Sequence, residues 1–323
     1  MAVQCELCPK LCIIEPDQSG DCRVRINIDD VLTTVVYGFP CSMHPDPIEK
    51  KPLFHFLPGT SILSLATAGC NLHCLNCQNW EISQASPEDT PAAHYPSQKL
   101  VELAAKNGFT SIAYTYTDPI VYYEYTYDTA KLARQNNIRN VLVTAGYINP
   151  EPWKELLKYV DAANIDLKGI TEDFYRDVCS GTLKPVLDAL VLAKASGILL
   201  EVTNLVIPTL NDKPDQIRRL VKWVRTNLGS DTPMHFSRFS PRYKMQHLPS
   251  TSARTLDMAR QIALEEGLHY VYIGNILRAE GQNTYCPSCK GLLIERSGYT
   301  ILQNRLSRGC CPDCSRKIYG VWQ

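Results

Sequence analysis

The sequence predicts an α/β protein: a partial or complete (β/α) barrel, or a doubly wound sheet, with small cysteine-rich appendages at both ends. Three observations carry this. Between Ile62 and Asn275, short apolar or β-branched runs alternate with helical stretches, the pattern of a parallel sheet covered by helices. The chain has 323 residues, enough for one barrel-sized core plus appendages. Most of its 14 cysteines fall into three tight groups, and two of these lie outside the alternating region.

In chain order, residues 1–60 form a cysteine-rich segment and a lead-in loop, 61–282 the core, and 283–323 a second cysteine-rich segment. Strands are expected at 62–68, 111–116, 140–145, 162–167, 198–207, 234–239 and 270–274, and helices near 97–107, 120–136, 151–159, 185–196, 213–227 and 251–266. Turn signals such as Asn107-Gly108, Ser196-Gly197 and Glu266-Gly267 punctuate them. In such a parallel arrangement the site belongs at the carboxyl ends of the strands.

The N-terminal group is Cys5-x2-Cys8-x3-Cys12 with Cys22 following Gly20. Its gaps match neither a plain zinc ribbon nor a common ferredoxin run, so zinc and an auxiliary cluster both stay open, zinc slightly ahead. The stretch His44 to Thr60 reads as an extended lead-in, or as the rim of a substrate opening touched by Lys50 or His55. The first core strand runs straight into Cys70-x3-Cys74-x2-Cys77. Zinc sites prefer paired C-x2-C units. Three thiolates this close suit a cubic iron–sulfur cluster with one iron left without a ligand from the loop.

The next strand ends in Tyr114-Thr115-Tyr116-Thr117-Asp118-Pro119. These hydroxyls and a carboxylate suit the ammonium of a small zwitterion; alternatively, Asp118-Pro119 opens the following helix as cap and first residue. Asp166 and Lys168 are two apart on a strand and face the same way, either as a matched or functional pair in the barrel interior or as a solvated pair past the strand's end.

The C-terminal group pairs Cys286-x2-Cys289 with Cys311-x2-Cys314 across 21 residues. Four thiolates in two such knuckles read as a closed structural zinc site, with a second iron–sulfur cluster as the alternative. Cys310 adjoins Cys311 and leaves the register of that pair open; Cys41, Cys179 and Cys310 read as buried or incidental thiols. Arg305, Arg308, Arg316 and Lys317 make the ribbon locally basic, and a metal-stabilised module binding RNA is the competing reading from another class. The three-cysteine loop argues against it, because a binding module needs no open iron. Lysine plus arginine balances aspartate plus glutamate at 33 each, which gives no support for attraction to nucleic acid or membranes. With no apolar run of spanning length and no signal-peptide core, a cytoplasmic location is the expectation.

SLATAGCNLHCLNCQNWEISQ, from Ser64 to Gln84, resembles the cysteine loop of the radical S-adenosylmethionine (SAM) superfamily, and within it the AmmeMemoRadiSam-system enzymes, which are related to pyruvate formate-lyase activating enzymes. Further matches run through CELCPKLC, GDCRVR, DPIEKKPLFHFLPGT, YTYTDP, NIDLKG, VIPTLND and the final cysteine pairs with GVW. The resemblance implies a radical SAM type of barrel and a 4Fe–4S cluster on Cys70, Cys74 and Cys77 that chelates SAM. Reductive cleavage there would yield methionine and a 5′-deoxyadenosyl radical that abstracts hydrogen from a substrate. It places Thr115, Tyr116 and Thr117 at the methionine ammonium, Asp166 and Lys168 at the ribose and carboxylate, and Val206 to Pro208 near adenine. It implies a reducing electron donor, a small-molecule or protein substrate (a glycyl-radical enzyme loop being one), and AMMECR-type and Memo-type proteins as candidate partners. One departure stands out. The residue before the third cysteine is Asn76, where the superfamily often has an aromatic; Trp80 either supplies that apolar surface or is a core residue.

Overall fold

The computed structural model describes residues 1–276 and 281–323; the four between fall in the expected core segment, outside the described residues. β1 (Ser42–Pro47), β2 (Ser61–Ala66), β3 (Ser111–Tyr114), β4 (Arg139–Thr144), β5 (Ala162–Asp166), β6 (Leu199–Val206), β7 (Met234–Arg238) and β8 (Val271–Gly274) lie side by side in sequence order in one sheet. β2 through β8 are parallel, and β1 runs antiparallel to β2. Sequential order rules out the doubly wound alternative, whose order reverses at a switch point. β1 and β8 are not neighbours, so the sheet is a partial barrel.

β1 is absent from the expected strands because Pro45 and Pro47 mask it. Proline has no N–H to give to a ladder and is confined to edges, and β1 is the edge, paired from Ser42 with Ala66 to Pro47 with Ser61.

The crossovers are α1 (Ser97–Lys106), α2 (Tyr123–Gln135), α3 (Pro150–Leu157), α4 (Leu183–Ala195), α5 (Pro214–Leu228) and α6 (Ala253–Glu265). α5 shows why they form: Ile217, Leu220, Val221, Val224 and Leu228 recur at helical spacing and are buried. Pro214 opens α5, and the Ser252 hydroxyl caps α6 by accepting from the Thr255 N–H. The Asp118-Pro119 expectation is corrected: α2 starts at Tyr123, because the Asp118 carboxylate is spent across strand ends.

Strand side chains alternate between two cores. Leu63, Leu65, Ile112, Leu142, Ile165 and Val202 pack against the helices. Ile62, Ala113, Val141, Ala162 and Leu199 face inward onto Ile48, Leu53, Phe56 and Leu57 of the lead-in. Full burial of each of the larger of these side chains, the leucines, isoleucines, valines and Phe56, contributes about 1.5–3 kcal/mol. The lead-in therefore plugs the floor of the barrel and leaves its carboxyl-terminal mouth open. The C-terminal tail seals the floor: Leu57 N–H donates to the Val321 carbonyl and Val321 N–H to the His55 carbonyl, both at 2.7 Å.

Strands Thr284–Tyr285, Leu292–Ser297 and Thr300–Asn304 form the C-terminal antiparallel sheet. At the N-terminus, Val3–Gln4 pairs with Ile13–Ile14 and Arg25–Ile28 with Val31–Thr34. Among the described residues, no helix is long and apolar enough to cross a membrane.

Candidate active site

After β2 the chain passes Thr67 and Ala68 and turns at Gly69, with φ of +88°. A β-carbon there would meet the Cys22 carbonyl oxygen and Val24 Cγ1 at 2.5 Å. Glycine is required twice, for its left-handed backbone and for the contact between the two cysteine segments. Gly69→Ala is expected to cost about 2–3 kcal/mol, read as a lower urea midpoint, and to reduce the iron held after anaerobic reconstitution. A variant with wild-type midpoint and iron content would contradict this.

Cys70, Cys74 and Cys77 line one cavity of about 460 Å3 at the carboxyl ends of the strands, together with Thr115, Tyr116, Thr117, Asp166 and Lys168. That volume is in the range of small-molecule sites. The donor set fits a cubic cluster. The three thiols are free, and the backbone N–H groups of Leu72 and Asn79 donate to the sulfurs of Cys70 and Cys77. Burial and the nearby Asp118 push the Cys70 thiol well above its ordinary value, so a cation is needed to hold it as thiolate. The cavity also fits a polar, zwitterionic ligand: Thr203 Oγ1 and Asn76 Oδ1, on residues that line it, are buried without a protein partner.

Lys168 Nζ and Asp166 Oδ2 pair at 2.7 Å, both side chains partly buried. Burial works against the ammonium, but Asp166 and the Cys74 and Cys179 sulfurs outweigh it and raise Lys168 well above the ordinary lysine value. Asp118 ties two strand-end loops together. Its Oδ1 accepts from Thr144 Oγ1 at 2.8 Å and from Ile120 N–H at 3.2 Å, and its Oδ2 from Ala145 N–H at 2.9 Å. Tyr116 has φ of +65°; its hydroxyl donates to Asp46 and its carbonyl accepts from Asn79 Nδ2 at 2.7 Å, which latches the second strand end to the cysteine loop. Thr117 Oγ1 donates to the Thr67 carbonyl at 3.0 Å.

Several site residues escape a sequence reading. Lys51 lines the cavity mouth beside Lys50, the expected rim candidate, and the two share Asp46, at 2.5 and 2.7 Å. Burial pulls the Lys51 ammonium down to about 8 despite that pair. Of the two rim candidates in the lead-in, only Lys50 is at the cavity: His55 is buried in the floor, its Nδ1 on the Tyr319 carbonyl and its Nε2 on the Tyr272 hydroxyl. Cys179 is buried, one of the two options read for it, and it has a role the sequence did not show. Its thiol donates to the Cys74 sulfur, which holds Cys74 down at about 7 against desolvation. Trp80 is neither core nor cavity wall; it stacks on Tyr243 at the surface, ring centres 5.2 Å apart. Tyr299, in the hairpin turn of the C-terminal sheet, reaches the cavity.

The C-terminal quartet Cys286, Cys289, Cys311 and Cys314 converges, with all four sulfurs within 4.8 Å of one another and two pairs at 3.6 Å. Tetrahedral Zn–S bonds of about 2.3 Å set sulfurs about 3.8 Å apart. Cys311 rather than Cys310 joins the group. Two of the basic ribbon residues face acids, Arg305 at Asp313 (2.8 Å) and Arg316 at Asp231 (3.7 Å), so the local basic character is partly neutralised. The N-terminal Cys5, Cys8, Cys12 and Cys22 line a separate small cavity.

Comparison with known proteins agrees with this geometry. Residues 64–224 match the Radical SAM superfamily. The chain is 50% identical to the uncharacterized protein MJ0808 of Methanocaldococcus jannaschii over 98% of this chain and 95% of that one. It is 23% identical to the pyruvate formate-lyase-activating enzyme of Clostridium pasteurianum over 49% of this chain and 66% of the enzyme. In fold it is similar to Streptococcus suis SuiB, solved with the precursor peptide SuiA, at a TM-score of 0.53 and 14% identity over 72% of this chain and 52% of SuiB. An open parallel barrel with three free cysteines at the end of its first parallel strand, on a chain so matched, belongs to an enzyme of the Radical SAM superfamily related to the pyruvate formate-lyase activating enzymes.

Proposed function

We propose that this enzyme cleaves SAM reductively at a 4Fe–4S cluster held by Cys70, Cys74 and Cys77, and uses the product to abstract hydrogen from a substrate. The observation that carries this is the single cavity shared by those thiols, the Asp166–Lys168 pair and the Thr115–Thr117 segment. When bound, the cluster and SAM supply a one-electron cleavage to methionine and a 5′-deoxyadenosyl radical. The chain's own residues bind and orient. Lys168, kept charged by Asp166, offers a cation to a carboxylate, and Asp166 has its second oxygen for hydroxyls such as those of a ribose. Thr115, Tyr116 and Thr117 present backbone and hydroxyl acceptors to an ammonium. Asn76 and Thr203 have unmet hydrogen-bonding capacity for the remaining polar edge. A closed floor and an open mouth admit substrate from one side only.

Two substrate classes compete. The name of the Clostridium pasteurianum relative favours a protein loop on a glycyl-radical enzyme. Resemblance to the AmmeMemoRadiSam group favours a small molecule or a partner of AMMECR or Memo type. Zinc in the C-terminal quartet is the metal its sulfur spacing supports.

The test is anaerobic. Reconstituted protein is reduced with dithionite and given SAM, and 5′-deoxyadenosine and methionine are quantified. Cys77→Ala is expected to lower the yield by about 100-fold or more, since loss of a metal ligand removes the centre. An undiminished yield in that variant, or none from a fully loaded wild type, would sink the proposal.

A further inference from the structure

Four cysteines take no part in the reaction proposed above. Cys5, Cys8, Cys12 and Cys22 surround one small cavity with apolar walls from Ile14, Ile120 and Val121. Backbone N–H groups already serve their sulfurs: Lys10 at Cys8, Asp21 at Cys12 (3.5 Å), and Val24 and Arg25 at Cys22. A donor from the residue two positions onward recurs at Cys70, Cys77, Cys289 and Cys314. Such donors stabilise a thiolate and do little for a neutral thiol. Two side chains at the same cavity are more than nine-tenths buried with an atom unpaired, Arg25 at Nε and Asn71 at Oδ1. Arg25 Nη2 already holds the Glu124 carboxylate at 2.6 Å, so it is the unpaired Nε–H that is left over for an anionic metal–thiolate group at this cavity.

The spacing decides which group. One zinc ion draws four sulfurs to about 3.8 Å from each other. Among the described residues, the C-terminal quartet is the group whose ligand atoms all come within 4.8 Å of one another. Neither the N-terminal sulfurs nor those of the 70–77 loop meet that limit, so each set includes pairs more than 4.8 Å apart. Wider spacing is what a cube of iron and sulfide imposes.

We propose that Cys5, Cys8, Cys12 and Cys22 hold a second 4Fe–4S cluster, ligated by all four thiolates. Of the two readings the sequence leaves open, zinc slightly ahead, the proposal takes the auxiliary cluster. The group lies directly against the 70–77 loop. The Cys22 carbonyl fills the space a β-carbon at Gly69 would need, Asn71 lines the N-terminal cavity, and Arg23 donates to the Ser83 carbonyl and to Gln84. The assignment does not depend on the reaction proposed for the loop.

The experiment counts metal without SAM. The full chain carrying Cys70→Ala, Cys74→Ala and Cys77→Ala is reconstituted anaerobically with iron and sulfide, then reduced with dithionite. It is expected to hold about four irons and four sulfides per chain and to show a reduced-cluster EPR signal that added SAM leaves unchanged. An iron-free triple variant carrying about two zincs per chain would overturn the proposal. The reciprocal Cys8→Ser/Cys12→Ser variant, in an otherwise intact chain, is expected to lose about half of the wild-type iron while keeping the signal from residues 70–77. Unchanged iron in that variant overturns the proposal equally, and this comparison decides should the triple variant fail to fold. Failure of the radical reading would show separately, as a wild type with full iron and no 5′-deoxyadenosine.

Discussion

Stripping the metal from the C-terminal quartet is expected to unfold the ribbon and to destabilise the barrel with it. Binding of a structural zinc contributes on the order of 10 kcal/mol to the folding of small zinc domains. Most of that loss falls on the ribbon, whose own core is Leu293, Ile294 and Ile318 packed on Phe54, Tyr270 and Tyr272. The barrel shares the loss because the tail beyond Cys314 is part of its floor. The Tyr319 hydroxyl accepts from Leu200 N–H at 3.1 Å, its carbonyl meets His55 Nδ1 at 2.5 Å, and Val321 bridges to Phe56. The Trp322 ring lies 5.2 Å from that of His55. Thermal denaturation with and without a zinc chelator should show a main transition lower by about 5 °C or more, with Cys289→Ala reproducing the shift. A single transition at unchanged temperature in both would show that no metal stabilises the quartet.

Glu201→Ala is expected to cost about 3–5 kcal/mol, because it breaks a buried charged network from the middle. Glu201 is fully buried on β6. One carboxylate oxygen accepts from the His55 backbone N–H at 2.7 Å, the other meets His235 Nε2 at 2.6 Å. Burial alone would raise its pKa; the His235 contact, with help from His55, lowers it instead, so the group stays ionised. Burial pulls His55 down to about 4. At neutral pH it is therefore uncharged, donating from Nδ1 to Tyr319 and accepting from Tyr272 at Nε2. Tyr272 in turn meets Thr284, which accepts from the buried Arg296 at 2.8 Å. Truncating Glu201 strands the His55 N–H and His235 together. Urea denaturation should show a lower midpoint at an unchanged slope. Glu201→Gln, which keeps an acceptor for the His55 N–H, should cost less. Equal stabilities for wild type and the alanine variant would mean that the network contributes nothing net.

The legible part of this chain is the part written in local periodicity. α5 announces itself through Ile217, Leu220, Val221, Val224 and Leu228, and β6 through its apolar and β-branched residues Leu199, Leu200, Val202, Thr203, Leu205 and Val206. The cysteine loop is readable because metal ligation constrains spacing along the chain. β1 is not, since its strand character comes from pairing with β2 across a lead-in that two prolines disguise. Asp118 looks like a helix cap because its neighbour is proline; it does accept from the Ile120 N–H at 3.2 Å, but its shorter bonds run to Thr144 and Ala145 on another loop. Lys51 and His55 are four apart in the lead-in, yet one lines the cavity and the other is sealed in the floor.

The sequence alone determined the parallel α/β core, the order of its elements, the three cysteine groups and the residue types gathered at the strand ends. Periodicity, turn chemistry and ligand spacing act over a few residues and survive without knowledge of the fold. Only the tertiary structure decided that the sheet stays open, that the lead-in and the C-terminal tail close its floor, and that Cys179 stands behind Cys74. It alone separated the compact C-terminal quartet from the wider N-terminal one. Each of these depends on side chains far apart in the chain meeting at a few ångströms, and no short-range pattern encodes those distances.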